Sequence, residues 1–282
     1  MAVNRLHRGL SLHQKRRFFY ACFDLAGPVE GSWIVDFAGR RLVLPLHRDF
    51  QPAWMAATGF HGYDSEMHET YESLVRGPRP PRVFYDVGAS YGLHSLKLLA
   101  HGTHVVSFEP NTGCHAFFLA CCDRNGLQPD LRPVAAGAVC SRVELAIPNG
   151  QSWLATTAAP VARRWRDELE VETRRVLQVT LDDVMNADHL VPDVIKIDTE
   201  GSELAVLAGA RNILEHARPL LLLESWPDSA ERGVLFELAM ACDYRLHALR
   251  FAIPPSPALT RGEFVDSPAT NFAARPLHPA TS

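Results

Sequence analysis

From residue 83 onward the sequence alternates between short apolar runs and stretches with helical periodicity. That alternation narrows the folds open to this chain to a doubly wound parallel sheet with helices on both faces. "RVFYDVG" reads as a buried strand, and Leu93, Leu96 and Leu99 mark one side of the helix behind it until Gly102 stops it. "THVVSFEPN" gives a second strand, "CHAFFLACCDRNG" a helix, "LRPVAAG" a third strand and "VPDVIKIDTEG" a fourth. Val206, Leu207, Ala210, Ile213 and Leu214 then share one helix face. "RPLLLLES" is short enough for a central parallel strand, and "VLFELAMACD" and "YRLHALR" add one more helix and strand.

The bend after the first of these strands is where open α/β sheets bind nucleotides, because backbone N–H groups converge there on polar ligand groups. A dinucleotide site needs a second glycine for close approach of a pyrophosphate, and here Ser90 occupies that place in Asp86-Val87-Gly88-Ala89-Ser90-Tyr91-Gly92. An acid two residues before the first glycine suits an ammonium group instead, as in the amino-acid end of S-adenosylmethionine. Glu109 ends the next strand, 23 residues after Asp86, where a carboxylate can accept both ribose hydroxyls. Each acid has a plainer reading: Asp86 as a cap for the following helix, Glu109 as a solvated loop acid. The two at this spacing favour the cofactor.

Ahead of the alternating region, "SWIVDFAGRRLVLPLH" reads as a hairpin turning at Ala38, Gly39 and Arg40, with Leu42, Leu44 and Leu46 on one face. "YDSEMHETYESLV" reads as a helix, and Pro78, Pro80 and Pro81 mark a boundary. The expected division is an accessory region, residues 1–80, and a cofactor-binding domain, residues 81–282. The first segment, "NRLHRGLSLHQKRRFFY", is basic; it has too few aliphatic residues for a membrane-surface stripe and reads as a solvated helix face.

Composition excludes some classes. With 282 residues, 47% of them hydrophobic, the chain can bury one large core, and no run approaches the roughly 18 apolar residues that span a bilayer. A formal net charge of −4 offers nucleic acid no general attraction. The six cysteines show no C-x-x-C spacing and no signal peptide is visible, so the expected setting is a reducing cytoplasm with free thiols.

"FYDVGASYG", "VSFEPN", "VTLDDV", "VIKIDTEGSELAVLAGA", "RPLLLLE" and "TNFAARP", in this order over about residues 66–276, resemble the FkbM family of S-adenosylmethionine-dependent methyltransferases, with "IKIDTEG" the most specific block. The resemblance implies a class I methyltransferase (Rossmann-like) fold, a seven-stranded sheet with an antiparallel last strand. It also implies O-methylation of a sugar, polyketide or related metabolite. The implied cofactor set is Asp86, Gly88, Ala89, Ser90, Gly92, Glu109, Asn111 and Ala136. Ser90 departs from the asparagine common in the family, which bears on cofactor affinity.

Methyl transfer from a sulfonium to oxygen is an in-line displacement, and the acceptor hydroxyl must lose a proton. Asp198 and Glu200 leave the fourth strand on one face and Glu224 ends the fifth, which makes Asp198 the acid nearest the methyl and Glu200 or Glu224 the base or orienting partner. Asp198 and Glu224 together could also hold a divalent cation, although no dedicated metal motif is present and none is expected. Glu203 reads as a helix-start acid. Lys196 either neutralises the acids or points outward. His94 either approaches the ligands or is a core histidine, and Asn271 either touches the acceptor or satisfies loop carbonyls. Residues 162–175, charged around Trp165, are either a solvated helix with local ion pairs or a lid for an anionic acceptor through Arg163, Arg164 and Arg166. The expected partner is a small-molecule or glycan hydroxyl acceptor. The hairpin and helix before residue 80 either cover the site or join two copies of the chain.

Overall fold

A computed structural model describes residues 31–46, 65–249 and 256–278. The basic segment, Cys22 and the first residues of the proline-rich loop at 253–259 lie outside the described residues. The chain opens with the hairpin β1 (Gly31–Phe37) and β2 (Arg40–Leu46), followed by helix α1 (Ser65–Arg76). Then come β3 (Val83–Val87), α2 (Leu93–Leu99), β4 (His104–Phe108), α3 (His115–Asn125) and β5 (Asp130–Arg132). Next are β6 (Ala135–Ala136), β7 (Ser141–Pro148), α4 (Ala159–Glu168), β8 (Val171–Val179) and α5 (Leu181–Asp188). The last third holds β9 (Val194–Ile197), α6 (Glu203–Ala208), β10 (Leu220–Glu224), α7 (Arg232–Ala241), β11 (Tyr244–Ala248), α8 (Arg261–Val265) and β12 (Asn271–Pro276).

The main sheet has seven strands in the order β11-β12-β10-β9-β3-β4-β5. The pairs β10–β9, β9–β3, β3–β4 and β4–β5 are parallel, while β12 is antiparallel to both of its neighbours. The chain therefore winds outward from β3 in one direction through β5 and resumes at β9 on the other side. That reversal opens a crevice beyond the carboxyl ends of β3 and β9, the usual ligand position in such sheets.

Strand alternation builds a core on each face. Tyr85, Val87, Ile195, Ile197, Leu221 and Leu223 pack with Val206, Leu207, Ala210, Ile213 and Leu214. Phe84, Val105, Val194 and Leu222 point the other way, onto α2 and α3. The hairpin joins this second face through Val35, Phe37, Leu42 and Leu44, and α1 through Met67 and Tyr71. Asn125 at the end of α3 fixes the hairpin edge, accepting from the Val43 N–H and donating to its carbonyl, both at 2.8 Å.

Two segments differ from the sequence reading. "LRPVAAG" is not one strand: its first two residues end β5 in the main sheet, and after Pro133 the backbone moves to a second sheet ordered β6-β8-β7. Proline cannot donate a ladder hydrogen bond, which suits it to that exit. Residues 162–175 are likewise two elements, since α4 ends at Glu168 and β8 pairs with β7 along its length.

Candidate active site

The crevice is built on the turn between β3 and α2. The N–H groups of Gly88 and Ala89 both donate to the Phe108 carbonyl at 3.0 Å, which pulls the turn over the end of β4. Gly88 has φ +76°, and a Cβ there would fall on the Asp198 carbonyl oxygen, so only glycine lets the turn lie this close to β9. Ser90 also lies in the left-handed region at φ +48°. Its N–H donates to Glu109 Oε2 at 2.7 Å, and the Asn111 N–H donates to Oε1 at 2.7 Å. Burial pushes the Glu109 carboxyl up to about 7, against the opposing pull of these two amides.

Lys196 is buried in the middle of β9, 1% exposed, and points into the crevice floor. Its Nζ donates to the Gly88 carbonyl at 2.8 Å and lies 3.3 Å from both Asp86 Oδ1 and Asp198 Oδ2. Asp86, fully buried, also accepts from Ser95 Oγ at 2.6 Å. The lysine therefore neutralises the acids, the first of the two readings its sequence position allowed. One ammonium is shared by two carboxylates, and of the two it is Asp198 that reaches the cavity, its side chain 26% exposed.

Asp198, Glu200 and Glu224 converge beside it, with one oxygen from each inside a 4.8 Å span. Carboxylates this close can orient a hydroxyl, take up its proton, or hold a hard divalent cation. Glu203 is engaged in the backbone, accepting from Thr199 N–H, Thr199 Oγ1 and Gly201 N–H at 2.9, 2.9 and 3.1 Å.

Gly88, Ala89, Ser90, Glu109 and Ala136 line one continuous cavity together with Asp198, Glu200 and Glu224. Asp86, Gly92 and Asn111 lie behind its wall: Asp86 under Lys196, Gly92 against the Phe118 ring, Asn111 donating to the Ser152 carbonyl at 3.1 Å. His94 lines the cavity, and Asn271, paired in register with Glu224, donates to Glu66 Oε1 of α1 at 2.7 Å.

A strap missed in the sequence closes the outer side. Ser152, Trp153, Ala155 and Thr157 line the cavity with Leu145, held by Tyr91 Oη to Ser152 Oγ at 2.6 Å and by Thr156 Oγ1 donating to the Glu200 carbonyl at 2.8 Å. The alternation of Val143, Leu145 and Ile147 signals β7, but the partner strand sits more than twenty residues on and carries no matching apolar pattern.

Next to the first cavity lies a groove of about 300 Å³ that shares Glu224 with it. Val161 and Arg164 of α4 form one wall, and Trp226, Asp228 and Glu231 after β10 the other. Arg164 pairs with Glu168 at 3.3 Å and Asp228 at 3.8 Å, and Arg166 with Glu144 at 3.5 Å. No helix among the described residues is long and apolar enough to cross a membrane.

The family model for the FkbM methyltransferase domain matches residues 86–246. No curated protein matches the chain. Among solved structures, the methyltransferase FkbM of Methylobacillus flagellatus KT is 18% identical, with a TM-score of 0.45 over 79% of this chain and 53% of that one. A SAM-dependent methyltransferase of Agrobacterium tumefaciens is 10% identical, with a TM-score of 0.42 over 88% and 71% of the two chains. The precorrin-6y C5,15-methyltransferase of Geobacter metallireducens GS-15 is 13% identical, with a TM-score of 0.36 over 68% and 80%. The chain spans about half the length of the first solved structures it matches.

Proposed function

The chain belongs to the FkbM methyltransferase family, and from that premise we propose that it transfers the methyl group of S-adenosylmethionine to a hydroxyl of a sugar, polyketide or related metabolite. The observation that carries the reading is the meeting of Asp198, Glu200 and Glu224 within 4.8 Å beside the glycine turn. The adenosine half lies toward Glu109, Phe108 and Ala136, with the ribose hydroxyls on the cavity side of Glu109. The ammonium rests on Asp198 and not, as the sequence suggested, on Asp86, because Asp86 is fully buried behind Lys196 whereas the Asp198 side chain is 26% exposed and lines the cavity. Asp86 then acts as a positioning residue, holding Lys196 and through it the turn.

The acceptor enters along the groove of α4 and Trp226 and presents its hydroxyl to the three acids. In-line alignment of oxygen, methyl carbon and sulfur supplies much of the rate. Glu200 or Glu224 takes the hydroxyl proton as the carbon–oxygen bond forms, for roughly 10²- to 10⁴-fold. Glu224, Asp228 and Glu231 outnumber Arg164, itself ion-paired, so the groove suits an acceptor without negative charge. This disfavours the lid for an anionic acceptor.

The test is release of S-adenosylhomocysteine on incubation with S-adenosylmethionine and a panel of hydroxylated sugars and polyketides. The reading predicts methyl ethers as products, a rate unchanged by EDTA, and a loss of at least about 100-fold in Glu200→Gln or Glu224→Gln. Methylation of amines alone, or a rate abolished by EDTA and restored by Mg²⁺, contradicts it.

A further inference from the structure

Glu200, in the loop after β9, holds a backbone conformation that its side chain resists. Its φ is +56°, in the left-handed region, where Cβ crowds the following carbonyl oxygen and glycine is the usual occupant. Gly201 follows at φ +101°, and a Cβ there would come within 2.7 Å of Val161 Cγ2 on α4. A turn needed only for its shape would favour glycine at residue 200 as well. Here a glutamate bears the strain, and its carboxylate lines the cavity within 4.8 Å of those of Asp198 and Glu224. Strain of this kind persists where the surroundings over-determine it, and it gathers at functional sites.

The surroundings that hold this loop come largely from the strap. Thr156, 1% exposed, donates from Oγ1 to the Glu200 carbonyl at 2.8 Å and accepts from the Ala158 N–H at 2.9 Å, which fixes the direction of its hydroxyl. Its own N–H and carbonyl both bond Ala146 of β7 at 2.9 Å, so the hydroxyl stands on a rigid base. Thr157 Oγ1 lies 2.9 Å from Ser202 Oγ, and Glu203 accepts from the amides of Thr199 and Gly201. Thr156 bonds the Glu200 backbone itself.

We infer that Thr156 is a positioning residue for the methyl transfer: its bond to the Glu200 carbonyl holds the left-handed backbone that aims the Glu200 carboxylate at the reacting hydroxyl. This rests on the role proposed above for Glu200. Thr156 touches neither cofactor nor acceptor and acts through Glu200 alone.

The experiment measures S-adenosylhomocysteine release on the panel of hydroxylated acceptors for wild type, Thr156→Val, Thr156→Ser, Glu200→Gln and the Thr156→Val/Glu200→Gln double variant, with calorimetric titration of S-adenosylhomocysteine. In Thr156→Val, kcat falls about tenfold or more while the affinity for S-adenosylhomocysteine stays within about twofold, and Thr156→Ser, which keeps the hydroxyl, restores most of the rate. In the Glu200→Gln background the same change lowers kcat by less than about twofold, because the carboxylate it aims is gone. The strain is read separately by thermal unfolding: the midpoint of Glu200→Gly lies above that of Glu200→Ala, the reverse of the order at an ordinary position. An equal loss of kcat from Thr156→Val in both backgrounds overturns the assignment, as does a loss that Thr156→Ser does not restore or a Glu200→Ala midpoint at or above that of Glu200→Gly. Binding of S-adenosylhomocysteine by the wild-type chain without turnover of any hydroxylated acceptor refutes instead the hydroxyl-transfer reading, and the assignment falls with it.

Discussion

At the scale of single residues, the site depends on charges held where water cannot reach them. Glu109 shows the consequence most simply. Its carboxyl rises from an ordinary value of 4.5 to about 7 in the folded chain, with burial the largest cause. Between those values the folded chain binds more protons than the unfolded one, so Glu109 favours folding at low pH and that stability is lost as pH rises through the window. The slope is at most about 1.4 kcal/mol per pH unit. Subtracting the stability of Glu109→Gln from that of wild type, across about pH 4 to 8 by denaturant unfolding, should give a difference that falls as pH rises from about 4.5 to 7. A flat or rising difference contradicts the burial argument. Gly88 and Ser90 carry a second lesson. The glycine was legible as a turn residue, but its reason, contact with the Asp198 carbonyl, depends on a strand more than a hundred residues away.

At the scale of elements, what the sequence disclosed followed local periodicity. The parallel strands of the main sheet and the helix face of Val206, Leu207 and Ala210 are apolar runs whose meaning does not depend on distant partners. β6 to β8 resist such reading because β8, "VETRRVLQV", is charged and largely exposed and becomes a strand by pairing with β7. The same limit hid the strap of Ser152 and Trp153. Lys196 was ambiguous because alternation gives its direction and not what it meets there; its partners come from β3 and from the residue just past the end of its own strand. Arg232 on α7 joins elements in a similar manner. Its guanidinium, 1% exposed, donates to the carbonyls of Ser225, Phe264, Val265, Ser267 and Ala269, between the rings of Phe264 and Phe272. These bonds tie the end of β10, and so Glu224, to the chain entering β12. Arg232→Met leaves several buried carbonyls without partners and should lower stability by about 3 kcal/mol or more. Urea unfolding measures it, and a loss below about 1 kcal/mol refutes this bracing role.

At the scale of the whole molecule, the strand order sets where chemistry can occur. The sheet reverses direction between β3 and β9, and the glycine turn and the three acids meet at that reversal. β10 and β12 then carry Glu224 and Asn271 to the same edge, and α1 closes over it through Glu66 and Tyr71. The chain belongs to the FkbM methyltransferase family, and the central claim proposed for it is that the cavity holds S-adenosylmethionine and no dinucleotide. Calorimetric titration with S-adenosylmethionine, S-adenosylhomocysteine, NADH and NADPH tests this most directly. The account predicts saturable binding of the first two and none of the others; binding of a dinucleotide alone, or of none of the four, contradicts it.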